Sequence, residues 1–118
     1  MKKVLFLAAI LAAAVSNVGL AQSGPSAENG KTIYNKWCVP CHGAVAPAEF
    51  GGALPGTAAL SVKYKGRLPA VLEERTDLVP EFVKAVVRGG LFGMPITRKT
   101  EISDAQLEDV SAYLARKR

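Results

Sequence analysis

This chain is poor in the residues that usually build metal and redox sites: among 118 residues it holds one histidine, two cysteines, one tryptophan and two methionines. Two cysteines and one histidine fall short of the four nitrogen or sulfur ligands of a structural zinc site, so a carboxylate or water would have to complete one. There is no second imidazole, and apart from the initiator the only methionine is Met94. The basic residues are spread along the chain with no aromatic-interleaved stripe, which argues against nucleic acid as a partner. No internal repeat, low-complexity block or convincing pair of strands is present. Beyond the N-terminal segment, no apolar run reaches the roughly 20 residues that span a bilayer.

What the chain has, it concentrates. Both cysteines and the histidine fall within Cys38-Val39-Pro40-Cys41-His42, a C-x-x-C-H motif of the kind that attaches a c-type haem. Two thiols three residues apart on one helical turn can reach the vinyl groups along one edge of a porphyrin. A histidine immediately after the second cysteine then lies under the ring, where its imidazole can ligate iron. A thioredoxin-like dithiol needs a βαβ pattern around its C-x-x-C, and none follows here. A disulfide across two residues closes so short a loop that it stabilises little.

The N-terminus matches an exported protein. Met1-Lys2-Lys3 is basic, residues from Val4 to about Leu20 are apolar and uncharged, and Gly19-Leu20-Ala21 supplies small residues for a signal peptidase. This is a secretory signal peptide by pattern, residues 1–21, and its removal leaves Gln22 first. A retained membrane anchor is the rival reading. Export from a bacterium delivers the domain at 22–118 to the periplasm and lowers the net charge from +5 to +3, because Lys2 and Lys3 leave and no acidic residue does. A domain this small buries a marginal core by itself, so a large apolar cofactor is expected to supply part of it.

The mature chain reads as all-α. Ser26 can N-cap a helix running to about Trp37 or Cys38, with Gly30, Ile33, Tyr34 and Trp37 on its inner side. Gly43 to Gly56 reads as loop. A short helix is expected over Thr57–Lys65 and a turn from Pro69 to Glu74. Pro80 opens a helix striped by Phe82, Val83, Val86 and Val87 and closed by Gly89-Gly90. The last helix starts at a capping box, Ser103 with Gln106. It carries Asp104 in its first turn and Arg116, Lys117 and Arg118 in its last, as the dipole prefers. Leu107, Val110, Tyr113 and Leu114 form its packing face.

Met94 sits in Gly93-Met94-Pro95 between the last two helices and is the candidate for the second axial position opposite His42; a packing role is the plainer alternative. A thioether paired with histidine raises a haem's reduction potential.

With these motifs the sequence resembles class I c-type cytochromes, whose small all-α fold crosses its N- and C-terminal helices beside a covalently bound haem. The resemblance implies one haem c per chain, held by Cys38 and Cys41 and ligated by His42 and Met94. It also implies a crossing at Gly30 and Tyr113, and a proline carbonyl, from Pro47 or preferably Pro55, accepting the His42 N–H. More narrowly, the segment from Pro69 to Leu107 resembles the cytochrome subunit of p-cresol methylhydroxylase-type flavocytochromes, which oxidise 4-alkylphenols. That implies a flavoprotein dehydrogenase subunit as electron donor, a downstream acceptor, and no catalysis by this chain itself. The alternatives are a freely diffusing periplasmic carrier between respiratory complexes, and a haem enzyme or sensor, which needs an open iron position. Ile33, Trp37, Leu60, Phe82, Val86, Leu91, Phe92 and Ile96 are candidates to wall the ring. Trp37 could bond a propionate, but packing against the last helix is the stronger expectation. Lys36, Lys63, Lys65, Arg67, Arg88, Arg98 and Lys99 could ring a haem edge facing an acidic partner, although a solvated surface suits each one alone.

Overall fold

The structure is a computed structural model that describes residues 24–44, 52 and 54–116. The proposed signal peptide, Pro47 and the final two residues lie outside that range. The described residues form five α-helices: α1 (Ala27–Trp37), α2 (Val39–His42), α3 (Pro55–Tyr64), α4 (Pro80–Gly89) and α5 (Asp104–Ala115), with a 3-10 turn at Leu72–Glu74. Among them there is no strand, only one isolated antiparallel bridge between Leu91 and Met94.

The helices begin where local chemistry sets them. The Ser26 hydroxyl accepts the Asn29 N–H at the head of α1, satisfying a donor the helix cannot. Val79 precedes Pro80 at the start of α4, and Ser103 and Gln106 exchange both bonds of a capping box ahead of α5. The third helix begins at Pro55, two residues before the expected Thr57, because a proline in the first turn gives up no intrahelical bond. At its far end α4 stops where Gly90 turns to φ 71°.

The core lies between α1, α4 and α5. Ile33, Tyr34, Leu78, Val83, Val87, Ile102, Leu107, Val110, Tyr113 and Leu114 are buried together. The closest approach is at Gly30, where a Cβ would lie 2.6 Å from the Asp109 carbonyl carbon and 2.8 Å from the Tyr113 Cβ, and closer still to the Asp109 oxygen. Only glycine lets the two backbones meet there. Tyr34 and Tyr113 pack beside it with ring centroids 5.5 Å apart, and Asp109 accepts the Ser26 N–H at 2.7 Å. Gly30 and Tyr113 thus form the expected crossing.

Two expectations need correction. Trp37 was expected on the inner face with Ile33, but it is 41% exposed, with the Lys36 ammonium over its ring. It lies two turns, about 10 Å, beyond Gly30, where α1 and α5 approach most closely. Phe82, expected in the α4 stripe, is 48% exposed, while Val83 and Val87 are buried. The face that meets α5 is narrower than the apolar run.

Candidate functional site

The C-x-x-C-H segment folds as the sequence requires. Cys38 ends α1 and starts α2, and the Cys41 and His42 amides both donate to the Cys38 carbonyl, at 3.1 and 2.8 Å. This single turn places the two thiols and the imidazole on one compact element. The thiols are not joined, Cys38 being half-buried and Cys41 exposed. Burial, reinforced by Cys41, pushes the Cys38 thiol up to about 11. Among the described residues, no group of three or more histidine, cysteine or acidic side chains is placed to hold a metal ion.

His42 is held from three sides. The Tyr34 hydroxyl, at the α1–α5 crossing, donates to the His42 carbonyl at 3.2 Å. The Thr57 hydroxyl donates to the adjoining Gly43 carbonyl at 2.9 Å. The imidazole itself lies against Gly56, where a Cβ would come 2.6 Å from Cε1 and 2.8 Å from Nδ1. Burial lowers the His42 pKa below its ordinary value, which favours the neutral ring that ligates metals. His42 Nδ1 is buried with no hydrogen-bond partner, so the bond expected from a Pro55 carbonyl is not made. Pro55 is the neighbour of the Gly56 that cradles the ring, and as a first-turn residue of α3 its carbonyl follows the helix axis. The roles of Tyr34 and Thr57 were not legible in the sequence. The only signal for Thr57 was its place in Leu54-Pro55-Gly56-Thr57.

Met94 borders the same core: Cys38, Val39, Leu72 and Met94 are half-buried and packed against the central cluster. Met94 closes a two-residue turn, its N–H donating to the Leu91 carbonyl at 3.0 Å and its carbonyl accepting from Leu91 at 3.2 Å. Large apolar side chains stand exposed on this loop and its neighbours, with Phe92 91%, Ile96 61% and Leu91 40% exposed. Of the expected ring-walling residues, Ile33 belongs instead to the interior cluster.

The residues present therefore suit a covalently held haem. They offer two neighbouring thiols, a neutral imidazole in a glycine cradle, and a thioether on a loop bordering the same core. They also leave an uncovered apolar surface of the sort that marks a binding site.

A family model described as cytochrome C oxidase, cbb3-type, subunit III matches residues 25–114. No curated protein and no solved structure matches the chain, and the narrower likeness to p-cresol methylhydroxylase cytochrome subunits gains no support from these comparisons.

Proposed function

Because this chain belongs to the cytochrome family described as cytochrome C oxidase, cbb3-type, subunit III, we propose that it is a periplasmic single-electron carrier whose haem c is joined to Cys38 and Cys41 and ligated by His42 and Met94. Membership makes it an all-α, class I-type cytochrome domain with an electron-transfer role, and implies haem c as its cofactor. The covalent bonds, the stoichiometry of one, the ligand pair, the export signal at residues 1–21 and the partners belong to the proposal. The observation that carries it is the α2 turn, which sets both thiols beside a neutral imidazole packed on Gly56.

Haem c supplies an iron that accepts and returns one electron. The chain's residues do the rest. His42 is kept neutral by burial and oriented through the backbone by Tyr34 and Thr57. Met94 offers a thioether, which favours the reduced state. Were His42 and Met94 both to hold the iron, no position would be left for a substrate, and the chain would carry electrons without bond chemistry of its own. No helix among the described residues is long and apolar enough to cross a membrane.

The family description, an oxidase subunit, favours a terminal oxidase as acceptor. A second reading has a flavoprotein dehydrogenase acting on 4-alkylphenols as donor. The exposed Leu91, Phe92 and Val79 favour it, since a stable subunit contact needs an apolar patch. Purification of the untagged protein from its native periplasm, with an absorption spectrum and a flavin assay on one fraction, separates the readings. Haem that survives denaturation and extraction, without flavin, supports the diffusing carrier; stoichiometric flavin supports the dehydrogenase subunit. Absence of covalent haem overturns both.

A further inference from the structure

The segment carrying Met94 has little to hold it down. Leu91, Phe92, Gly93, Pro95, Ile96, Arg98, Lys99 and Thr100 are all exposed, and Met94 is only half-buried. Its turn is also conformationally unfavourable. Gly90 sits at φ 71° and Phe92 at φ 52°, the latter in a region bulky side chains avoid. A loop with few apolar contacts opens easily, so its hydrogen bonds to the rest of the fold decide how well Met94 is held.

Those bonds converge on one side chain. Thr97 donates its N–H to the Val87 carbonyl at 2.8 Å, bringing the leg after Met94 back onto α4. The next residue of that helix, Arg88, then grips the returning chain. Its Nη1 donates to the Thr97 carbonyl at 2.9 Å. Its Nη2 donates to the Ile102 carbonyl at 2.8 Å and to the Asp104 carboxylate at 2.9 Å. Asp104 is held in turn by Lys99 at 2.7 Å. The planar guanidinium reaches three acceptors in one geometry, which an ammonium cannot.

We propose that Arg88 is the positioning residue for Met94, fastening the 94–102 segment to α4 so that the thioether is presented in place by the protein itself. This rests on the reading of Met94 as an axial ligand. Loss of Arg88 leaves two carbonyls of the loop's returning leg without a donor while the capping box of α5 remains. The segment then swings away more often, and an added ligand competes for the position more successfully.

The test is a titration of the ferric holoprotein with imidazole, followed by absorption, in the native chain and in Arg88→Met, Arg88→Lys, Asp104→Asn, Val110→Ala and Met94→Ala. Met94→Ala defines the open position and tests the premise separately: imidazole binding unchanged from the native protein shows that Met94 is not the ligand and removes the basis of the inference. Arg88→Met is expected to raise imidazole affinity about tenfold or more, the scale of losing charge-assisted hydrogen bonds. Arg88→Lys falls between, and remains informative if Arg88→Met does not fold. Asp104→Asn, which spares both carbonyl bonds, stays near the native value. Val110→Ala removes buried core volume on α5 while sparing every bond of Arg88; it lowers the melting temperature without the gain in affinity. If the Arg88 variants gain no more affinity than Val110→Ala at equal loss of melting temperature, Arg88 is merely structural and the inference is overturned.

Discussion

Substituting Gly30→Ala tests the helix crossing on which the whole arrangement rests. In an isolated helix the change gains about 1 kcal/mol of propensity. Here the new methyl would meet the Asp109 backbone and the Tyr113 Cβ at 2.6–2.8 Å, and a main chain cannot rotate aside. Forcing helices apart costs typically about 1–3 kcal/mol. The Tyr34–Tyr113 ring pair, at 5.5 Å, adds about 0.5–1.5 kcal/mol if separated. The Ser26–Asp109 hydrogen bond adds about 1 kcal/mol. Set against the propensity gain, the net loss is about 1.5–4.5 kcal/mol, which lowers the melting temperature of a domain this size by at least about 6 °C. Thermal denaturation of the holoprotein, followed by circular dichroism, measures it. Gly89→Ala is the matched control: nothing lies within 4 Å of its added Cβ, so the same chemical change is expected to be neutral or mildly stabilising. A Gly30→Ala protein that melts within about 2 °C of the native one refutes the close crossing.

Other outcomes follow from the same geometry. Gly56→Ala pushes a methyl into the His42 ring and is expected to shift the haem midpoint potential and weaken the histidine–iron bond, measured by spectroelectrochemistry, with the α1–α5 core left folded. Met94→Ala keeps covalent haem but loses reduction by its partner; an unchanged reduction rate refutes the ligand assignment. Tyr113→Phe removes the hydroxyl that bonds Glu73 and should cost about 1 kcal/mol, against about 3–5 kcal/mol for Tyr113→Ala, read by denaturant melts. Acid stability follows the aspartates. The Arg75 hydrogen bond holds Asp77, and Lys99 followed by Arg88 hold Asp104, below the ordinary value of 3.8. Their stabilisation is complete above that value and lost as pH falls through the lowered ones. Asp77→Asn and Asp104→Asn should therefore flatten the acid side of a melting-temperature profile. Burial, with Glu73 beside it, raises Tyr113 above 10, so its stabilisation is present below that value and lost as pH rises through the raised one.

Much of this was legible from short-range patterns because the relevant physics is local. Ser26, Pro80, Ser103 with Gln106, and Gly90 mark helix ends through bonds made within four residues, and the structure places the ends there. Periodicity picked out Leu107, Val110, Tyr113 and Leu114, all buried. The motif at residues 38–42 is equally local, since its geometry is one helical turn. The misplaced residues were those whose surroundings depend on a partner element. Nothing in the sequence of α1 tells how far α5 extends over it, so helical spacing alone places Trp37 inside. Phe82 reads with its stripe because the apolar period along one helix does not give the width of the neighbouring face.

By itself, then, the sequence determined an all-α domain, most of its helix ends, and the thiols, imidazole and thioether of the proposed haem site. Tertiary structure decided what holds those groups. Tyr34 reaches the His42 carbonyl, Gly56 cradles the imidazole, and Arg88 binds the segment after Met94. Each joins elements separated in the chain. Such contacts form only once the helices have packed, and no local pattern of propensity or spacing encodes them.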